Sequence, residues 1–360
     1  MSRGRRLVAV LMVLSAGVLH AQEIEPRPAD EARLAAQGLV LDVIQAGSQY
    51  VAVGERGHVL RSSDGLEWTQ ARFVPVQATL VRVTFAGGRL WAVGHDSTII
   101  HSRDLGETWS VQHFEPEWEK PLLDVHFFDA NNGVAVGAYG LVLRTEDAGR
   151  NWERFDMEEL VVSESIDWQE VAATLDDDED DLWDDFGFEE DDADDFYDAD
   201  MDFDRGCYEF MECHLNALLV LDEQRQMIAA ERGYGFRSED GGESWDAFRF
   251  PYGGSMFGLV HLGGDSVLAY GLRGHVQITH DFGSSWEILD SGLDSTLKGA
   301  AVAPDGQVLM VGRGSARLRF DPDSGRFSLN EDRLGDAFVS VVFSEHGRII
   351  FAGEGGLSHE

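Results

Sequence analysis

The stretch AVGERGHVLRSSDGLEW, residues 52–68, decides the fold, because near-copies of it return along the whole chain. The spacings between successive copies are 40, 43, 93, 41, 41 and 41 residues, so the long gap holds one repeat and about fifty further residues. Seven copies with a period near forty are typical of a toroidal or solenoid array. The residue that ends the second apolar run of each copy marks the alignment: Gly54, Gly94, Gly137, Ala230, Gly271, Gly312 and Gly353.

Each repeat contains four short runs in which apolar and β-branched residues alternate with polar ones. The third repeat shows them as LLDVHFF, GVAVGA, LVLRTE and NWERF. Four strands per repeat is the pattern of a propeller blade, so the sequence predicts an all-β, seven-bladed β-propeller over residues 22–360. The seventh repeat stops before its fourth strand. We expect the N-terminal segment EIEPRPA, residues 23–29, to supply that strand and close the ring.

The turn between the third and fourth strands carries a second motif, the Asp box S/T-x-D-x-G-x-x-W. It is complete in four repeats and one residue shorter in the first, where it reads SSDGLEW. The Asp side chain can accept N–H groups of its own turn, the glycine adopts a positive φ at little cost, and the Trp buries a large ring. We therefore expect these turns to be structural and their carboxylates not to be catalytic. The box residues are Asp64, Asp104, Asp147, Asp240, Asp281, Trp68, Trp109, Trp152, Trp245 and Trp286.

The formal net charge of the 360-residue chain is −38, and its pI is near 4.4. A surface this acidic repels nucleic acid and anionic lipid, because both are bound through clustered Lys and Arg. The glycines belong to hairpins and form no phosphate-binding loop, so no cofactor is expected.

Residues 1–21 have the features of a secretory signal peptide, since three arginines precede an apolar run, Leu7–Leu19, that is too short to span a bilayer. An uncleaved membrane anchor is the alternative interpretation. We expect cleavage near Gln22 and a monomeric periplasmic protein without a membrane span.

The extra residues of the long gap form an acidic insert, which the sequence places at residues 157–206. Acidic residues outnumber all others between Leu175 and Gly206, so charge repulsion predicts disorder. The insert is either a solvated spacer or a segment that docks on a basic partner. From Asp198 onward, acidic residues alternate as they do in a calcium-binding loop, but Phe203 stands where the EF-hand turn needs glycine. Its candidate ligands are Asp198, Asp200, Asp202, Asp204 and Glu209.

The two cysteines of the chain, Cys207 and Cys213, lie close together after the insert. No other Cys or His stands at zinc spacing from them, so a local disulfide is favoured over a redox or metal site.

The repeated AVG-x-x-G followed by an Asp box, in an exported chain, resembles the photosystem II stability/assembly factor family. The resemblance covers residues 23–360 apart from the insert, and it implies a non-enzymatic propeller that helps build a membrane protein complex. Relatives in heterotrophs resemble accessory proteins of export permeases. The resemblance also implies a partner-binding arginine patch on one rim, on the turns between the second and third strands. The residues here are Arg56, Arg232 and Arg273 at one repeat position, and Arg313 one residue earlier in its repeat.

The arginine pattern is incomplete, because the same position is Asp96 in the second repeat and Tyr139 in the third. The alternative to a partner-binding patch is that these arginines are ordinary solvated residues of hairpin turns, and that alternative stays open. Links between blades share a face with the turns between the second and third strands. We therefore expect the insert and the arginines to lie on the same rim.

A secreted carbohydrate-active enzyme is the competing function, because Asp boxes also occur in sialidases and other glycoside hydrolases. Such an enzyme needs an arginine triad with a Tyr nucleophile, or two carboxylates facing each other across a cleft. Neither set is recognisable here, so a binding or assembly scaffold is preferred. His58 and His275 share one repeat position, and we expect them to be exposed turn residues.

Overall fold

Each repeat folds into one antiparallel sheet whose strands pair in chain order, as the alternating apolar pattern predicts. The computed structural model describes residues 24–164, 213–332, 334–345 and 347–360. Within these ranges the protein is an all-β, seven-bladed β-propeller, as predicted. The predicted signal peptide, the calcium-loop candidates and Cys207 lie outside the described residues.

The first three blades are built from twelve strands. Blade one contains β1 (Val40–Ala46), β2 (Gln49–Gly54), β3 (Val59–Ser62) and β4 (Thr69–Gln70). Blade two contains β5 (Leu80–Ala86), β6 (Arg89–Gly94), β7 (Thr98–Ser102) and β8 (Ser110–His113). Blade three contains β9 (Leu122–Phe127), β10 (Gly133–Gly137), β11 (Leu141–Thr145) and β12 (Glu153–Asp156), and is followed by α1 (Met157–Leu160) and β13 (Val161–Glu164).

The remaining four blades continue the pattern, and the last has three strands. Blade four contains β14 (Leu215–Val220), β15 (Gln226–Ala230), β16 (Tyr234–Ser238) and β17 (Trp245–Arg249). Blade five contains β18 (Met256–Gly263), β19 (Ser266–Gly271), β20 (Val276–Thr279) and β21 (Glu287–Leu289). Blade six contains β22 (Leu297–Val302), β23 (Val308–Gly312), β24 (Arg317–Asp321) and β25 (Arg326–Asn330). Blade seven contains β26 (Phe338–Phe343), β27 (Ile349–Gly353) and β28 (Gly356–His359). Short 3-10 turns lie at Ala35–Gln37, Glu55–Gly57, Pro116–Trp118, Ala138–Gly140 and Leu272–Gly274.

The first strands of successive blades contact one another around a closed ring, from β1 through β26 and back to β1. Apolar side chains fill each space between neighbouring blades. The cluster between blades one and two, for example, joins Val51 and Val53 to Leu90 and Ile100, all of them buried. Because each blade buries both faces against its neighbours, the second strands read as continuous apolar runs.

The repeated glycine of each copy is required by a close approach of the backbone. A Cβ at Gly94 would lie 2.0 Å from the carbonyl oxygen of Thr79, at the start of the same blade. The next residue, His95, donates its N–H to that oxygen at 2.9 Å. The other blades repeat this hydrogen bond, including blade four, where Ala230 replaces the glycine. This hydrogen bond therefore joins the end of the second strand to the entry of the first.

The predicted closing strand at residues 23–29 was wrong for the part that the structure describes. Residues 24–29 form no strand, and Ala29 donates its N–H to Val74 O while Gln77 binds Pro28 O, beside the link between blades one and two. Two of the seven residues are prolines, which lack the N–H groups that a strand donates. The ring closes instead by direct packing of β26 against β1.

The acidic insert begins later than residue 157. Met157 and Leu160 of α1 are buried between blades three and four, because both are apolar and complete the core there. β13 then pairs in parallel with β17, which makes blade four a five-stranded sheet. The chain leaves the described structure only after Glu164.

No helix within the described ranges has both the length and the apolar composition needed to cross a bilayer.

Candidate functional site

The Asp boxes are closed networks of local hydrogen bonds. In the second blade the Ser102 hydroxyl donates to Asp104 at 2.8 Å and accepts the N–H of Gly106, while Asp104 accepts the N–H of Thr108 at 2.9 Å. The boxes beginning at residues 62, 145, 238 and 279 repeat this pattern. The carboxylates are thus occupied by their own turns.

These hydrogen bonds also set the charge of the boxes. Backbone N–H groups lower the pKa of Asp64 and Asp147. At Asp104, Asp240 and Asp281 burial would raise the pKa, but the bonds from nearby hydroxyl and N–H groups outweigh it and lower the pKa. All five carboxylates therefore stay ionised at neutral pH and serve as acceptors, not as proton donors.

The opposite face carries the turns between the second and third strands, which we term the turn rim. Non-glycine residues adopt left-handed backbone here, with φ of 55° at Arg56, 58° at Asp96, 54° at Tyr139, 54° at Arg232 and 51° at Arg273. This conformation is costly for residues with a Cβ, and it recurs in the rim turns of the first five blades.

Three of the four predicted arginines lie on neighbouring blades. Arg232, Arg273 and Arg313 lie on the successive blades four, five and six, and we term them the arginine arc. Arg56 lies apart on blade one, where its side chain is 78% exposed. The acidic or aromatic residues of blades two and three interrupt the ring of arginines, so the predicted patch is an arc and not a full circle.

Three further residues at the arginine arc were missed in the sequence. The ammonium group of Lys298 lies 3.3 Å from the centre of the Phe257 ring, across the boundary of blades five and six. Surrounding protein lowers the pKa of Lys298 to about 8, and Glu231 acts in the opposite direction. Tyr252 stacks on His275 with ring centres 3.5 Å apart. Phe257 and Lys298 each follow the first core residue of their repeat, and that shared position was the available signal.

The insert rejoins the described chain on this same rim. Gly140, in the rim turn of blade three, donates its N–H to the carbonyl oxygen of Cys213 at 3.1 Å. His214 contacts Glu231 at 3.9 Å, directly beside Arg232. Cys213 is buried and disulfide-bonded.

The expectation that both repeat-related histidines are exposed was wrong for His58. His58 is only 7% exposed, and burial lowers its pKa. His275 is partly covered by its stack with Tyr252. Within the described ranges no three His, Cys, Asp or Glu side chains converge as a metal site would require.

A second charged cluster lies at the centre of the ring, where corresponding positions of three first strands hold Asp42, Arg82 and Asp124. Arg82 Nη1 lies 3.7 Å from Asp42 Oδ1, and its Nε lies 3.3 Å from Asp124 Oδ1. Burial raises the pKa of Asp124, although Arg82 opposes this. Each carboxylate also accepts N–H bonds from a neighbouring blade, Val83 for Asp42 and Leu218 for Asp124. The cluster is therefore bound into the fold and is not an open pair of catalytic carboxylates.

Together these features define a seven-bladed Asp-box β-propeller whose turn rim carries arginines on three successive blades. No family model matches the chain. The chain is 25% identical over 216 residues to "Photosystem II assembly lipoprotein Ycf48" of Prochlorococcus marinus, a match over 57% of this chain and 59% of that protein. The chain thus spans less than two thirds of the curated relative that it matches.

The fold is also found in solved structures. "YCF48 from Cyanidioschyzon merolae" has a TM-score of 0.63 at 16% identity, over 93% of this chain and 97% of that one. "YCF48 bound to D1 peptide" has a TM-score of 0.62 at 15% identity, over 93% and 98%. The "WD40 beta propeller domain of Doa1" gives 0.61 at 11% identity, over 93% and 95%. The chain is therefore similar in fold to the YCF48 propellers.

Proposed function

We propose that the protein is an assembly factor, and that its arginine arc binds an acidic segment of a membrane-protein subunit. The observation that carries the proposal is the placement of Arg232, Arg273 and Arg313 on three successive blades. Carboxylates of an extended peptide crossing these blades would meet one guanidinium on each, and guanidinium groups bind carboxylates in a bidentate manner.

The surroundings of the arc suit a peptide better than a small anion. Phe257, Tyr252 and Tyr139 offer aromatic surface beside the cations, and Tyr139 is 43% exposed. Aromatic and Arg residues are the groups enriched at protein interfaces. On a chain of net charge −38, a local group of cations also directs an acidic partner to one place.

The comparisons support a protein partner, since one of the similar structures is a complex of YCF48 with a D1 peptide. We propose that the partner of this chain belongs to a complex of the inner membrane, which is a photosystem or an export permease. We further propose that residues 1–21 direct the chain to the periplasm, which N-terminal sequencing of the mature protein would check.

The test compares a triple variant, Arg232→Gln, Arg273→Gln and Arg313→Gln, with the wild type in binding a D1 peptide and an acidic peptide of equal length. We expect the affinity to fall by about tenfold or more, and the wild-type affinity to fall with added salt. A control triple variant, Arg27→Gln, Arg33→Gln and Arg326→Gln, removes the same charge from exposed positions away from the arc. Equal losses in both variants would show only a general charge effect and overturn the proposal.

A pull-down from host membranes identifies the complex. Photosystem subunits or permease subunits retained by the wild type and lost with the arc variant would name the partner. A glycoside hydrolase is not supported, because the Asp-box carboxylates are held by their turns and the central pair flanks Arg82.

A further inference from the structure

In three blades the residue just before the Ser or Thr of the Asp box reaches toward the next blade. In blades one, three and four this residue is an arginine that donates to a backbone oxygen of the following box. The pairs are Arg61 with Leu105 O, Arg144 with Gly242 O and Arg237 with Phe282 O. Successive boxes are thereby joined by a guanidinium bridge.

Blades two and five depart from this rule. The residue of blade five is Ile278, and that of blade two is His101, which is too short to make the bridge. The corresponding oxygen of blade three, Ala148 O, accepts instead from Gln112 Nε2 at 2.7 Å. A cleft of about 480 Å³ remains between the two boxes, and we term it the box cleft. It lies on the face opposite the turn rim.

The box cleft is a cationic site on a strongly acidic protein. Arg103 lines it, is exposed, and has no hydrogen-bond or ion-pair partner in the part of the chain that the structure describes. Arg150 lines it from blade three and bonds through Nε to Asp147 O of its own turn, at 3.0 Å. Asp104 also lines the cleft, with its carboxylate oxygens accepting bonds from Thr108. The three charges sum to one net positive charge.

The inner wall of the cleft contains polar atoms without partners. His101 is only 4% exposed, and its Nε2 has no hydrogen-bond partner among the described residues. Burial lowers the pKa of His101 to about 4, and Arg103 and Arg89 act in the same direction, so the ring is neutral at physiological pH. Gln112 Oε1 likewise has no partner within the described chain. Both atoms are closed to solvent, so the ligand contacts proposed below are those of the exposed arginines.

We propose that the box cleft binds a monocarboxylate ligand between Arg103 and Arg150. A carboxylate can accept from two guanidinium groups at once, and a single negative charge matches the net positive charge of the cleft. A dianion such as phosphate would leave an excess negative charge beside Asp104 and is disfavoured. The terminal carboxylate of a peptide and a sugar acid share this chemistry. The proposal is independent of partner binding at the arginine arc.

The test titrates the full mature chain with three probes and follows the indole N–H signal of Trp109, which lines the cleft, by NMR. These probes are N-acetyl-alanyl-alanine, its C-terminal amide, and glucuronate, and inorganic phosphate is titrated beside them as the dianionic comparison. We expect both acids to shift the signal and the amide to leave it in place. The acid that binds more tightly shows whether a peptide terminus or a sugar acid supplies the carboxylate.

Variants decide whether the cleft is responsible. Arg103→Gln and Arg150→Gln should each weaken binding about fivefold or more, because each removes a charge-assisted bond. The matched control is Arg326→Gln, which removes an exposed arginine from the corresponding turn of blade six and should leave the affinity unchanged. His101→Arg rebuilds the bridge of the other blades and should abolish binding while the melting temperature is kept.

Two results would overturn the proposal. One is binding of the amide as tight as that of the acid, or of phosphate as tight as that of either acid. The other is an affinity that stays within about twofold of wild type in both Arg103→Gln and Arg150→Gln, which a charge-assisted contact does not allow.

Discussion

Ser340 of the seventh blade donates a hydrogen bond of 2.7 Å to Asp42 of the first, joining residues 298 positions apart in the sequence. The same carboxylate accepts the N–H of Val83 in the second blade at 3.0 Å. One side chain therefore ties together the three blades at which the ring closes. Arg82 then connects Asp42 to Asp124 of blade three, so the charge network extends across half of the ring.

Removal of the central arginine should destabilise the protein strongly. Arg82→Met leaves the carboxylates of Asp42 and Asp124 buried without a cation, and breaking a buried ion pair in this way costs about 3–5 kcal/mol. Urea unfolding at pH 7 measures the loss. Arg72→Met is the control, since Arg72 is exposed and pairs with Glu107 on the surface. A similar loss in both variants would contradict a special role for the network.

The cost of Arg82→Met should also depend on pH. Burial already raises the folded-state pKa of Asp124 above its unfolded value, so its ionisation destabilises the fold as pH rises through the folded pKa. Without Arg82 that pKa rises further. We expect the stability gap to the wild type to be widest near neutral pH and to narrow as pH falls toward about 4. A gap independent of pH would mean that lost packing, not charge, is responsible.

The tryptophan of an Asp box should be a main source of blade stability where it is fully covered. Trp245 is 2% exposed and its Nε1 donates to Gly242 O at 3.1 Å. Trp245→Ala should therefore lower the free energy of unfolding by about 3–5 kcal/mol. Trp286→Ala is the matched comparison, because Trp286 is half-buried and should cost less. A loss below about 1 kcal/mol for Trp245 would argue against its structural role.

The Asp-box carboxylates should add acid sensitivity. The folded-state pKa of Asp240 is lowered, so its ionised carboxylate stabilises the fold. This stabilisation is complete above the ordinary Asp pKa of about 3.9 and disappears as pH falls through the lower folded-state pKa. Asp240→Asn should thus reduce the melting temperature at pH 6, and the difference should shrink below about pH 4. Melting curves of both proteins between those pH values check the direction of this change. A difference in melting temperature that grows in acid would show that the Asp240 carboxylate does not stabilise the fold.

Lys298 should titrate near pH 8, since its surroundings lower its pKa to about 8. The chain contains only two lysines, so 13C-methyl labelling of amines gives two lysine signals beside that of the N-terminal amine, and Lys120→Arg identifies the signal of Lys120. Glu231→Gln should move the midpoint of Lys298 lower still, because Glu231 raises that pKa. An upward movement would show that the two groups do not interact as the geometry implies.

The sequence by itself determined the number of blades, their four-strand pattern and the Asp boxes. These features depend on interactions between residues a few positions apart, such as the bond from Ser102 to Asp104, and the same local pattern is repeated along the chain. Three of the rim arginines, Arg56, Arg232 and Arg273, could also be named from their shared repeat position, and Arg313 stands one residue earlier in its repeat.

Only the tertiary structure decided how the ring closes and which side chains meet across blades. Residues 24–29 bind beside blades one and two because their two prolines cannot complete a strand ladder. The Asp42–Arg82–Asp124 network and the box cleft join side chains about forty residues apart or more. Such contacts depend on the twist and spacing of whole blades, because neither partner's local sequence specifies what the neighbouring blade presents to it.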